Sequence, residues 1–103
     1  MDKFGLSDKQ ISLIQKTLKQ FKEVDKVKIY GSRATGSFKR NSDIDLAINI
    51  PNYEFDKLLR IKSELNTLDI PYDFDLINLA DVSNQKLINN IEKFGKIFYQ
   101  SSQ

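Results

Sequence analysis

Residues 43–50, DIDLAINI, alternate without a break: Ile44, Leu46, Ile48 and Ile50 turn to one side, and Asp43, Asp45, Ala47 and Asn49 to the other. Only an extended strand with one covered face suits this pattern, because successive side chains of a strand point in opposite directions. Aspartate is depleted in strands. A sheet that holds two of them must present them on its open face, about 6.5–7 Å apart along the strand. Any fold for this chain has to supply strand neighbours for that segment and a layer over its Ile/Leu side.

The rest of the chain supplies both. Ser7 with Gln10 three residues on is a capping-box pattern, and Ile11, Ile14, Leu18 and Phe21 follow at helical spacing. Lys26–Tyr30 alternates as a short strand, and Gly31–Ser42 reads as a loop or short helical turn. After Pro51-Asn52, Tyr53–Leu68 reads as a helix with Phe55, Leu58, Leu59, Leu65 and Leu68 on its apolar face. Tyr72–Ile77 is expected to be the third strand, carrying Asp73 and Asp75. The last helix, roughly Ser83–Phe94, should bury Leu87, Ile88, Ile91 and Phe94 and stop at Gly95. The tail Lys96–Tyr99 is apolar enough to dock as a short strand or to meet a partner. The order α-β-(short α)-β-α-β-α implies an α/β (α+β) sandwich with a small, mixed three-stranded sheet. With 103 residues there is room for one domain, residues 1–103.

Composition narrows the chemistry. The chain has no histidine, cysteine or tryptophan. That excludes imidazole- and thiol-based catalytic triads, imidazole and thiolate metal ligands, zinc fingers, disulfides and thiol redox work. Fourteen acidic residues leave a carboxylate site for a hard cation such as Mg²⁺. A net charge of +2 gives no argument for direct nucleic-acid or membrane binding. No apolar run approaches the roughly 20 residues of a membrane span, and MDKFGLSDKQ lacks the apolar stretch of a signal peptide, so the expected compartment is the cytoplasm.

An isolated D-x-D is commonly the solvated face of an edge strand. Here it follows Gly31-Ser32, which comes directly after a strand and opens a turn. Backbone N–H groups in such a turn face an anion, glycine permits close approach, and the serine hydroxyl adds a donor. At ordinary residue usage, the spacing Gly-Ser, ten residues, Asp-x-Asp arises by chance in about one chain per thousand of this length.

The stretch Tyr30–Leu46, YGSRATGSFKRNSDIDL, resembles the G-S-x₁₀-D-x-D signature of the DNA polymerase β-type nucleotidyltransferase superfamily. The short chain looks like its minimal members, which consist of the catalytic palm and little else. PYDFDL (residues 71–76) stands where the family supplies its third carboxylate, and IEKFGKIFY (residues 91–99) looks like its usual ending. The resemblance implies that Gly31 and Ser32 hold the β- and γ-phosphates of a nucleoside triphosphate, ATP by expectation. It implies that Asp43 and Asp45 bind two Mg²⁺ ions and that Asp75 completes the set, with Asp73 a nearby carboxylate. Arg33 is expected either to contact phosphate or to pair with one of the aspartates. The family commonly has a basic residue where this chain has Thr35; Lys39 and Arg40 are nearby cations that otherwise read as a solvated loop pair.

Once the strands and their helices are assigned, nothing remains to hold an acceptor. Minimal members are typically associated with a small helical HEPN protein. The resemblance therefore implies the antitoxin of a toxin–antitoxin pair, a hetero-oligomer in which AMP passes from ATP to a hydroxyl, expected to be a tyrosine, of the HEPN toxin. Two other readings fit the same residues: a non-catalytic nucleotide-binding subunit that neutralises its partner by contact, and a nucleotidyltransferase acting on a small molecule or RNA.

Overall fold

The computed structural model describes residues 3–50 and 55–101. The first helix, α1 (Asp8–Lys19), starts where the capping box places it. Ser7 Oγ accepts from the Gln10 N–H at 3.1 Å, and Gln10 Oε1 accepts from the Ser7 N–H at 3.0 Å. Ile14 and Leu18 of its apolar stripe are buried, while Ile11 and Phe21 flank the core half-buried.

Strand β1 (Lys26–Tyr30) runs through the one-turn helix α2 (Ser32–Thr35) and a loop into β2 (Ile44–Ile48), which pairs antiparallel with it. The crossover helix α3 (Phe55–Asn66) then returns the chain to β3 (Phe74–Asn78), parallel to β2. A parallel neighbour needs such a crossover because the chain must travel the strand's length back. A short 3₁₀ turn, Leu79–Asp81, leads to α4 (Gln85–Phe94) and β4 (Lys96–Gln100), which pairs antiparallel with β1. The α/β sandwich is as expected, but the sheet is four-stranded, in the order β3-β2-β1-β4, rather than three-stranded.

The fourth strand escapes a period-two reading for a physical reason. Lys28 lies opposite Ile97 and Val27 opposite Tyr99, so Phe98 is an extra residue in a bulge. Ile97, Phe98 and Tyr99 are consecutive large residues, so no polar–apolar alternation marks the strand.

The Ile/Leu face of β2 is fully buried, with Ile44, Leu46 and Ile48 joined to Val27 and Ile29 of β1 and to Ile14, Leu18, Ile61 and Leu65 of the covering helices. Ala47 is buried as well, and α4 lies against β1 with Ile91 fully buried, so the opposite face is covered in part. Asn78, 3% exposed, ties down the chain beyond β2: its Oδ1 accepts from the Ile50 N–H and its Nδ2 donates to the Ile50 carbonyl.

Two expected core residues are exposed. Leu59 is 48% exposed, because the stripe of α3 runs through Leu58, Ile61 and Leu65; Leu59 lies roughly 130° round the helix from its middle at 100° per residue. Phe94 is on the expected face of α4 but occupies its last residue, just before the turn at Gly95, and is 43% exposed. The expected start of α3 at Tyr53 lies outside the described residues. No helix among the described residues is long and apolar enough to cross a membrane.

Candidate active site

Three elements meet at one end of the sheet. Tyr30 ends β1, Asp45 faces it across the antiparallel pair, and Asp75 faces Asp45 across the parallel pair. The three form a row across neighbouring strands about 4.8 Å apart. Asp45 is half-buried and Asp75 exposed. Asp43 is exposed just before β2 rather than inside it, and Asp73 precedes β3 and gives its carbonyl to the Ile44 N–H at 2.9 Å. Strand register thus sets Asp75, not Asp73, beside Asp45.

The Gly-Ser turn closes directly over this row. Gly31 has φ 75° and ψ −151°, a conformation that L side chains rarely adopt. A Cβ there would stand 2.7 Å from Asp45 Oδ2, so the backbone conformation disfavours a side chain and any Cβ would displace the carboxylate. Ser32 then begins α2, with Ala34 and Thr35 donating to the Gly31 carbonyl. The first N–H groups of the turn, on Ser32 and Arg33, have no acceptor within it. Among the described residues, the Ser32 hydroxyl has no hydrogen-bond partner. With only four residues the turn contributes local N–H groups rather than an extended helix dipole.

The electrostatics of the row are those of crowded acids. Burial raises the Asp45 pKa above the usual carboxylate value, and the charges of Asp75 and Asp43 raise it further, against a lowering by Arg33. Tyr30, half-buried beside the same carboxylates, is pushed up to about 12, mainly by burial and then by Asp45 and Asp75. Tyr30 is a part of the site that residue spacing did not indicate. Its only signal is that it immediately precedes Gly31 in an alternating strand.

An all-oxygen donor set with a deficit of positive charge fits a hard cation. Among the described residues, though, no three acidic side chains form a ready-made metal cage. Mg²⁺ is usually held by one or two carboxylates and completed by substrate phosphates and water. An open row of carboxylates beside an anion-binding turn has the chemistry for that arrangement.

Arg33 acts on Asp45 only through its charge, and its guanidinium hydrogen-bonds to backbone carbonyls rather than to a carboxylate. It is 2% exposed and turned beneath the loop, where it donates to the carbonyls of Phe4, Ser42 and Asp43. Thr35, Lys39 and Arg40 are all exposed; Lys39 engages Ser42 Oγ through its backbone N–H.

The sequence profile of the family described as Polymerase beta, Nucleotidyltransferase matches residues 12–103. No curated protein matches the sequence. Among solved structures, a chain in the crystal structure of a toxin–antitoxin with AMP-PNP superposes with a TM-score of 0.71 at 22% identity, over 95% of this chain and 77% of that one. A chain of the MntA–HepT toxin–antitoxin gives 0.69 at 20% identity, over 94% and 75%. A chain from the tri-AMPylated Shewanella oneidensis HEPN toxin in complex with MNT antitoxin gives 0.67 at 20% identity, over 91% and 72%. At these identities the likeness is one of fold.

Proposed function

The chain belongs to the polymerase β-type nucleotidyltransferases, and on that premise we propose that it transfers AMP from ATP to a hydroxyl of a helical HEPN-type partner, acting as the antitoxin of the pair. The observation that carries this reading is the contact between the Gly31 turn and the Asp45 carboxylate. A group that grips anions and a group that attracts cations meet at one point, as a metal-bound triphosphate requires. The similar folds add support: they occur in toxin–antitoxin complexes, one with a tri-AMPylated HEPN toxin and one crystallised with AMP-PNP.

In this reading Gly31 and Ser32 bind the β- and γ-phosphates through backbone N–H groups and the free Ser32 hydroxyl. Asp43, Asp45 and Asp75 would hold two Mg²⁺ ions. When bound, these would neutralise charge on the triphosphate and lower the pKa of the acceptor hydroxyl. The acceptor oxygen bonds to the α-phosphorus, the bond between the α-phosphorus and the bridging oxygen breaks, pyrophosphate leaves with the electron pair, and the hydroxyl proton is lost to water. Such catalysis works by positioning and charge stabilisation, which carboxylates and backbone donors supply without histidine or cysteine.

The partner contributes the acceptor, taken to be a tyrosine, and the two chains work as a hetero-oligomer in the cytoplasm, where ATP and Mg²⁺ are at hand. The reading is tested by incubating the protein and its HEPN-type partner with Mg²⁺ and ATP labelled at the α-phosphate. The label should move to the partner, and a γ-phosphate label should not. No transfer of the α-label by the wild type overturns the proposal.

A further inference from the structure

The loop joining β1 to β2 carries both halves of the site, and one buried side chain spans it. Arg33 belongs to the Gly31–Ser32 turn, yet its guanidinium reaches nine and ten residues ahead. Nε donates to Ser42 O at 3.1 Å and Asp43 O at 3.3 Å, and Nη2 donates to Ser42 O at 2.7 Å. Those carbonyls belong to the peptide planes on either side of the Asp43 Cα. The same second plane is held from the other side, where the Ile44 N–H donates to Asp73 O. The direction in which Asp43 projects its carboxylate is therefore fixed by Arg33 together with the lead-in to β3.

The rest of the guanidinium is equally committed. Nη1 donates to Phe4 O at 2.9 Å. Phe4 has φ 59°, the only positive φ outside glycine among the described residues, and with Gly5 at 73° it forms a tight turn closed by paired Lys3–Leu6 hydrogen bonds. The ring of Tyr72 lies 4.3 Å from the guanidinium carbon and that of Phe38 5.3 Å. Tyr72 stands three residues before Asp75. A planar cation with a fork of donors suits such a cradle of carbonyls and rings, where a lysine ammonium would match few of the contacts.

We propose that Arg33 is a positioning residue for nucleotidyl transfer: it touches no phosphate, and it sets the distance and direction between the Gly31–Ser32 turn and the Asp43 carboxylate. The inference rests on the transferase reading for its kinetic consequence, and its physical consequence can be read without any transfer. Arg33 adds nothing to the affinity for free triphosphate, but the geometry in which metal and triphosphate are bound together depends on it.

The test compares wild type with Arg33→Lys, Arg33→Met and Tyr72→Leu. Amide hydrogen exchange across residues 31–43 and Mn²⁺ binding by electron paramagnetic resonance, with and without AMP-PNP, are the readouts. Arg33→Lys should speed exchange at residues 36–43 and weaken Mn²⁺ binding in the presence of AMP-PNP, each by at least about tenfold, the equivalent of one lost charge-assisted hydrogen bond. Exchange in α1 and α3 should stay at wild-type rates, and metal-free AMP-PNP affinity should not move. Tyr72→Leu, which keeps the carbonyl contacts, should loosen the same segment to a smaller extent. In transfer assays kcat should fall, and KM for ATP should rise in step with the weakened metal binding and be lowered again by added Mg²⁺. If Arg33→Met unfolds the chain, Arg33→Lys and Tyr72→Leu decide. Wild-type exchange and Mn²⁺ affinity in both would overturn the proposal, and so would a loss of metal-free AMP-PNP affinity with an unchanged loop. A wild type that moves no label refutes the transferase reading alone, because exchange and Mn²⁺ binding report on the brace directly.

Discussion

The Asp45 carboxylate occupies the space that a side chain at Gly31 would need, with Oδ2 2.7 Å from the position of a Cβ there. Two sequence signals ten residues apart thus become one site, and each depends on the other's shape. The turn can lie this close to a carboxylate only because its first residue is glycine. The carboxylate can sit there only because β2 pairs with β1 in the register that sets Asp45 opposite Tyr30.

Gly31→Ala should cost about 1–3 kcal/mol of stability from the positive-φ backbone alone, plus displacement of the Asp45 carboxylate. Transfer should drop by at least about a hundredfold, since an ångström of misplacement has that effect. In an Asp45→Ala background the same substitution should cost less stability than in wild type. A double-mutant cycle in urea measures the coupling.

Asp45 gives a pH dependence of definite sign. Its carboxyl pKa is raised in the folded protein, so between the unfolded value of about 3.9 and the raised one the folded state binds the extra proton. Stability of the metal-free protein therefore falls as pH rises through that window, and the penalty persists above it. Asp45→Asn should melt above wild type at pH 7 in chelator. The difference should vanish as the pH is brought below the unfolded carboxylate value, as read by melting curves across the range.

Metal and nucleotide should stabilise the fold together more than either does alone, because the carboxylates leave coordination sites for phosphate oxygens. At a hundredfold excess over the dissociation constant the gain is about 2.7 kcal/mol. Melting with Mg²⁺, AMP-PNP and both should show the synergy in wild type and lose it in Asp45→Ala. Equal stabilisation by AMP-PNP with and without Mg²⁺ would count against the carboxylate assignment.

Phe98→Ala tests the fourth strand. The ring is 4% exposed within the main core and packs against Phe4 at 6.0 Å between centroids. Its removal should cost about 3–5 kcal/mol in urea unfolding. A tail that merely waited for a partner would cost almost nothing.

Much of this architecture could be read from residue order, and the failures have identifiable causes. The Ile44–Ile48 alternation, the Ser7–Gln10 cap and the helix stripes are local patterns, and they reappear in the fold. The bulge at Phe98 left the tail open between a docked strand and a partner contact, because an extra residue breaks the period on which strand recognition depends. Leu59 lost to Ile61 because one residue of phase decides which side of α3 meets the sheet. The D-x-D and Gly-Ser signals lie close in sequence, whereas their contact depends on a β1–β2 register that spacing alone does not specify. Arg33 is the clearest case: its partners at Phe4 and Tyr72 lie 29 and 39 residues away, and a buried arginine held by carbonyls leaves no motif.

The central claim is that this site moves AMP onto a partner protein, and intact mass spectrometry of the HEPN-type partner tests it most directly. After incubation with the wild-type chain, ATP and Mg²⁺, the partner should gain whole AMP units on a tyrosine, with one pyrophosphate released per unit; Asp43→Asn should leave its mass unchanged. A partner of unaltered mass that wild type and Asp43→Asn bind and neutralise equally well would contradict the account, and would make the chain a nucleotide-binding subunit that acts by contact alone.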